Sequence, residues 1–462
     1  MSVRVNALVV LGAVLLSASS QAASTVTTIG SWDGSTGYVS GRPFVAPSGV
    51  VYGALGNNAY DPAGSIYALT PPQAGSTTWT QATISTFSGG ASGGFPVGGL
   101  INDPAADSSG DLYGAAYTGG TSSTCSSLYT GCGVIYQLTP PNSGSTWTRN
   151  VLYTFQGGTD GSFPVGDLVA DSTGALYGAT QYGGCTPASP YYSGCGTIFK
   201  LTPPTGGGGW TETVLYRFKG GTTDGVYPGG RLLLDASGNI YGTTLFGGTV
   251  DCTNTASAFQ VTDPDGGCGV VFKLTKSGSS YTESILHFFT DGKNGSVPAP
   301  GLVMDTAGNI YGSAVQGGNT KYGCNQYGQS GCGLVFELVK PAKGAWKETT
   351  LFRFAGKDGG FPTGLLIDAA GKLAGENSYN TTSDTTCPAS VGFYCGTAFE
   401  VELSKGKWKQ SELHAFADGA DNAGPEFGLA VDSAGVLYGV TEAGSTSTVF
   451  TLTGTGFVPG VR

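Results

Sequence analysis

Charge is scarce in this chain. Only 11% of its 462 residues are Asp, Glu, Lys or Arg, and there are just two histidines and two methionines. So few imidazoles leave no room for a histidine-based metal centre, and His287 and His414 both fall in a column otherwise filled by Tyr153, Tyr216 and Phe352, which makes them aromatic substitutes in a strand. Long apolar runs are missing as well. After the first 22 residues nothing approaches the roughly 20 apolar residues of a membrane helix, and no amphipathic helical period is present. Basic residues are outnumbered, 21 against 31 acidic. A chain-wide excess of negative charge argues against nucleic acid or an anionic membrane as partner.

What is abundant is glycine, 80 residues, together with aromatics at 11%. Gly, Thr and Tyr in this proportion suit short strands joined by tight turns. The start of the chain reads differently. Arg4, the apolar run from Ala7 to Leu16, and Ser20-Gln21-Ala22 have the order of a secretory signal peptide. Residues 1–22 are therefore expected to be a leader, residues 23–462 one soluble, monomeric domain, and the location secreted or periplasmic. The ten cysteines agree with an oxidising compartment. They fall into five local pairs, Cys125 with Cys132, Cys185 with Cys195, Cys252 with Cys268, Cys324 with Cys332, and Cys387 with Cys395, which reads as a disulfide set.

Each pair occupies the same place in a cassette that occurs seven times. Tyr67, Tyr136, Phe199, Phe272, Phe336, Phe399 and Phe450 mark its third strand, each followed two residues later by Leu or Val. The third copy runs Val151 to Phe155, a Gly-rich turn, Gly166 to Asp171, Ser172-Thr173-Gly174, Ala175 to Thr180, the cysteine loop, then Gly196 to Thr202. Four short strands per copy, seven copies and Gly-rich turns predict an all-β fold, a seven-bladed β-propeller of four-stranded blades. The last copy stops after its third strand, and Thr25 to Trp32 resembles the missing fourth. The N-terminal strand is expected to complete the last blade, leaving no open edge. In the outer strands Trp79, Trp147, Trp210, Tyr281, Trp346 and Trp408 each precede an aromatic by eight residues, an even spacing that predicts one shared face.

The recurring text Gly-x-Leu-x-x-Asp-x-x-Gly-x-Leu-Tyr-Gly-x-Thr and Gly-Cys-Gly-x-Val-Phe-x-Leu-Thr-Pro resembles the Gloeobacter/Verrucomicrobia tandem repeat of exported bacterial proteins. The resemblance covers nearly all of the chain after the leader and is best in copies two to five. It implies an exported repeat protein and supplies no catalytic residue.

Candidate site residues follow from position and from departures within the repeat. Asp171, Asp235, Asp305, Asp368 and Asp432 each open an Asp-x-x-Gly turn, where a carboxylate accepts backbone amide hydrogens, so they are read as structural. A second acidic set, Asp33, Asp160, Asp224, Asp291, Asp358, Asp418 and Asp421, sits in the Gly-rich turns and could ring one mouth of the channel. Asp418, Asp421 and Glu426 come nearest to an oxygen cage for calcium, although none matches an established calcium loop, and no cofactor is expected. Phe95, Phe163, Tyr227 and Phe361 each precede a proline at the entry to an inner strand, where ringed aromatics could stack on a sugar. Asp167 and Arg231 replace glycine just before the inner-strand Leu in neighbouring copies, which suits an ion pair near the axis. Glu376 is an acid out of pattern in copy six, the one candidate for a buried general acid or base.

The expectation for function is a binding module for an extracellular glycan or protein, presented on the face that carries the cysteine loops. The alternative is a polysaccharide-active lyase or hydrolase using Asp167, Arg231 and Glu376. A purely structural surface component is the third reading.

Overall fold

The computed structural model describes residues 24–460, apart from 36, 59–60, 103–109, 126–130, 186–193, 250–251, 253–266, 320–323, 325–330, 380–394, 418–423 and 444–445. The leader expected at 1–22 lies outside the described residues.

Seven antiparallel sheets follow one another along the chain, and each is a blade of four strands. Blade 3 is the most regular, with Ser162–Ala170 innermost, then Leu176–Tyr182, Thr197–Thr202 and Thr211–Arg217 outermost. In blades 1, 4, 5 and 6 the inner strand is broken into two short pieces that pair with the same neighbour, so the extra piece adds no fifth strand. The expected ring closure is present. Thr25–Trp32 pairs antiparallel with Thr446–Thr453, from Thr25 opposite Thr453 to Trp32 opposite Ser447, and so supplies the outer strand of blade 7. Every blade has both of its faces covered by a neighbour, and the closed ring leaves only short inner and outer strand edges.

The seams between blades are the core. Tyr67, Tyr136, Phe199, Phe272, Phe336, Phe399 and Phe450, one per blade, are all at most 1% exposed. Each contributes roughly 2 to 3 kcal/mol by leaving water. They pack edge-on against the aromatic that ends the preceding blade, as Phe155 does on Phe199 at 5.1 Å and Phe218 on Phe272 at 5.1 Å.

One expectation fails here. Trp147 and Phe155 lie on opposite faces of their strand: Trp147 meets Tyr52 of the blade before, at 5.9 Å, while Phe155 meets Phe199 of the blade after. The cause is a β-bulge. The register skips Leu152 between Val151 and Tyr153, and the extra residue inverts the parity that an even spacing implies. The same shift recurs in the outer strands of blades 1, 3, 4, 5 and 6. It lets one strand grip both neighbours.

Four of the five expected disulfides are present: Cys125 to Cys132, Cys185 to Cys195, Cys252 to Cys268, and Cys324 to Cys332. Cys395 is also disulfide-bonded, and Cys387 lies outside the described residues. No helix among the described residues is long and apolar enough to cross a membrane.

Candidate functional site

The Asp-x-x-Gly turns are structural, and their bonding goes further than the turn itself. Asp235 Oδ1 accepts the amides of Ser237 and Asn239, both at 2.9 Å, and its Oδ2 accepts the Tyr241 hydroxyl at 3.1 Å. The same Tyr-to-Asp bond joins Tyr177 to Asp171, Tyr311 to Asp305 and Tyr438 to Asp432. The Tyr of the Leu-Tyr-Gly text therefore ties the turn on one face to the second strand. Copy six has Ala374 in that place, and there Lys372 pairs with Glu400 at 3.0 Å.

On the opposite face, where the cysteine loops lie, a cavity of about 600 Å³ opens on the propeller axis. Its aromatic wall is Tyr38, Phe95, Tyr117, Phe361 and Phe427. Two sequence candidates, Phe95 and Phe361, thus reach the cavity, whereas Phe163 and Tyr227 are buried, 6% and 4% exposed, and line nothing. All four share an unusual backbone. Their φ values run from 49° to 57°, left-handed geometry that bulky residues adopt only under constraint. The constraint is a stitch between blades: the amides of Phe163, Tyr227 and Phe361 donate to the carbonyls of Cys132, Cys195 and Cys332 in the preceding blade, at 2.8 to 2.9 Å. Turning the N–H across the seam requires the left-handed conformation, and the proline that follows has no N–H to strand. Phe163 and Tyr227 then continue a chain of ring contacts with Tyr117, Tyr182 and Phe246. Their role is packing.

The cavity floor is ionic. Asp167 Oδ2 lies 3.0 Å from both Nε and Nη2 of Arg42 and 3.9 Å from Nε of Arg231, while its Oδ1 accepts the Gly99 amide at 2.5 Å. The anticipated Asp167 and Arg231 pair is therefore two thirds of a triad whose closer member, Arg42, the sequence reading missed. These residues occupy one equivalent position in blades 1, 3 and 4, just inside the ring. In blades 5 to 7 that position is Gly301, Gly364 and Gly428, and a methyl group added there would lie only 2.7, 2.8 and 3.3 Å from Arg231 Nη1. Arg42 Nη1 also reaches the Leu429 carbonyl of blade 7, at 3.4 Å. The side chains of three blades thus span the axis into space left by the glycines of the others. Burial pushes the Asp167 carboxyl up, but the charges of Arg42 and Arg231 and the Gly99 amide outweigh it and hold it below the usual range.

The third wall belongs to blade 7. Glu426 and Glu442 line the cavity as diagonal neighbours across its two innermost strands. Burial, reinforced by the charge of Glu442, pushes Glu426 up to about 7, and burial also raises Glu442. Next to Glu426 in the chain is Phe427, 39% exposed and with φ 68°, at the position held by Gly98 and Gly166 with φ 73° and 68°. In those copies the glycine lets neighbouring inner strands touch backbone to backbone, since a methyl on Gly98 would fall 2.3 Å from the Gly166 carbonyl oxygen. Copy seven keeps the glycine conformation and presents a phenyl ring.

Glu376 is brought near this wall but not into the cavity. It is fully buried, its Oε2 accepts the Gly428 amide at 3.1 Å, and it lies against Gly439 in blade 7. Burial raises its carboxyl well above the ordinary value; the charge of Glu426 adds to this, and the Gly428 amide and Arg231 oppose it. Among the described Gly-rich-turn acids, Asp160 and Asp224 accept amides of their own turns, and none of Asp33, Asp160, Asp224, Asp291 or Asp358 lines the cavity. Asp418 and Asp421 lie outside the described residues. No group of three or more metal-ligating side chains is found among the described residues.

No curated protein sequence matches the chain. Among solved structures, a gluconolactonase from Xanthomonas campestris is 15% identical, with 70% of this chain and 81% of that one covered and a TM-score of 0.37. PorZ, a surface component of the type-IX secretion system of Porphyromonas gingivalis, is 12% identical, with 91% of this chain and 47% of that one covered and a TM-score of 0.47. Likenesses this distant concern the fold alone. At the level of sequence, the Gloeobacter/Verrucomicrobia repeat matches residues 14–257 and again 258–457, and the chain is a member of that repeat family.

Proposed function

We propose that this propeller is an exported, non-catalytic binding module whose axial cavity holds a short section of a glycan. One observation carries the reading: aromatic surfaces and carboxylate acceptors converge in one cavity on the cysteine-loop face, where Phe427, strained and exposed, shares the lining with Glu426 and Glu442. A sugar offers C–H faces to rings such as Phe427 and Tyr117, and hydroxyls to carboxylates such as Glu442. The size suits it, because small-molecule sites span roughly 300–1,000 Å³. Export rests on the leader at 1–22 and on the paired cysteines, and the N-terminal residue of the protein recovered from its host tests it: Ala23 is expected.

The binding test is a glycan array followed by titration calorimetry on the best hit, with Phe427→Ala and Tyr117→Ala beside the wild type. Retained affinity in both variants would remove the cavity from the account. A second reading is supported by Glu426, a carboxyl poised near neutrality next to another, since sugar hydrolysis uses such a pair. Reducing-sugar release that disappears in both Glu426→Gln and Glu442→Gln would make the protein an enzyme. Asp167 and Glu376 serve that chemistry less well, one being committed to two arginines and the other sealed between blades.

A further inference from the structure

Six of the 21 basic residues of this acidic protein lie on one arc of the face opposite the cavity. The hairpins joining third and fourth strands lie on that face, and in blades 1 to 3 their tips, residues 71–78, 140–146 and 203–209, carry no charge at all. In blades 4 to 6 the same hairpins carry Lys276, Lys340, Lys343, Lys347, Lys405 and Lys407, every one exposed. Among the described residues none of the six is in an ion pair. Two of the three tips are also fixed in place. The amides of Lys276 and Lys340 donate to Oδ1 of Asn239 and Asn309, at 3.0 Å each, and those asparagines donate in turn to Asp235 and Asp305 of the Asp-x-x-Gly turns. The outer strands of blades 5 and 6 touch, so the hairpins that carry Lys340, Lys343, Lys347, Lys405 and Lys407 are neighbours.

Six ammonium groups without a single arginine are hydrated point charges on flexible stems, poor at gripping one phosphate or sulfate with a fork of hydrogen bonds. Spread over three rigid hairpins, they suit a partner whose own charge repeats along its length. We infer that this lysine arc binds an extended carboxylated polysaccharide, laid across blades 4 to 6. Several weak contacts made by one chain act together, so affinity arises without a deep pocket. The uncharged tips of blades 1 to 3 and the acidic remainder confine the polymer to that arc. The cavity then faces away from the polymer, and the two sites are independent.

The test uses the full protein and immobilised polygalacturonate, with its fully methyl-esterified form as the uncharged control. Binding is expected to the acid form alone and to disappear as sodium chloride rises from about 20 to about 500 mM, because screening shortens the reach of each charge. The triple change K340Q/K343Q/K347Q should weaken binding about tenfold or more. The triple change K219Q/K293Q/K357Q, which removes the same charge from exposed positions on the cavity face, should alter it less than about twofold. Equal losses in the two triples would reduce the effect to net charge and overturn the assignment. So would binding to phosphatidylserine vesicles in the absence of binding to polygalacturonate, or no binding to the acid form at low salt.

Discussion

Blades 3 to 5 and blades 6 and 7 are built from the same cassette and spend its variable positions differently. In blades 3 to 5 the turn Asp holds the Leu-Tyr-Gly tyrosine, and the residue before the inner proline stitches its blade to the one before. Blade 6 gives up the tyrosine for Ala374 and places Glu376 in a column of Ala, Thr, Ser and Val. Blade 7 keeps the tyrosine bond but fills its inner strand with Glu426 and Phe427, and its second with Glu442. What the copies share holds the ring, and what two adjacent copies change faces the cavity or backs its wall. A repeat protein can alter one sector this way because, away from the axis, each blade packs on its neighbours alone.

That division can be broken from the structural side. The largest expected effect is at the axis, where Asp167→Ala leaves Arg42 and Arg231 side by side without their shared counter-ion. Removing one partner of a buried ionic group costs about 3 kcal/mol or more, and denaturant unfolding should show it. A midpoint unchanged from wild type would mean that the triad does not tie the blades together. Next comes Glu376, tested by pH. Its carboxyl is raised in the folded state, so the native protein binds a proton there that the unfolded chain has already released above its ordinary value near 4.5. Stability from this group is whole below that value and declines as pH rises towards the folded one. Glu376→Gln, neutral at every pH, should therefore gain in melting temperature over wild type as pH is raised from 5 to 8. Parallel curves would show Glu376 ionised in the folded state throughout.

A shared position should behave in the opposite way to the cavity. Tyr241→Phe deletes only the hydroxyl that reaches Asp235, a carboxylate that keeps its two turn amides. The expected loss is about 1.5 to 3 kcal/mol, as for a hydrogen bond to a charged acceptor. Glycan affinity should not move, and if it did, the sorting of shared from altered residues would be wrong.

The ring was legible because its signals are redundant. A column of seven aromatics, paired cysteines and an orphan strand at Thr25 each point to the same closure. The failures have local causes. A one-residue bulge is invisible to spacing, so Trp147 and Phe155 were placed on one face when they grip different blades. Arg42 is hidden because Arg42-Pro43 replaces the Gly-Leu, Asp-Leu or Arg-Leu of other copies, which obscures the alignment of copy one with Asp167 and Arg231. Glu442 stands in a column with Tyr117, Gln181, Leu245, Val315 and Ser378, where no chemistry repeats and nothing marks the exception. The aromatics before proline drew attention because they recur, and recurrence here signals a stitch. Phe427 also lines the cavity, and its mark in the sequence is a ring in a column where Gly98 and Gly166 stand.

The smallest stability effect tests the comparison most sharply. Phe427→Gly restores the residue of the regular blades to a backbone already in their conformation, φ 68° against 73° at Gly98. Relief of the left-handed strain returns about 1 to 2 kcal/mol, and the greater freedom of glycine in the unfolded chain takes back about 0.5 to 1. The ring is 39% exposed, so more than half of it is buried, and losing that burial costs about 1 to 2 kcal/mol. Strain relief and lost burial nearly cancel, and the net expectation is a loss of no more than about 1 kcal/mol, read as a small fall in denaturation midpoint, together with loss of glycan binding in calorimetry. A variant nearly as stable as wild type but unable to bind would show a strained ring retained for the ligand. A destabilised variant that binds as before would instead make Phe427 part of the scaffold, and the altered sector would have no claim on the cavity.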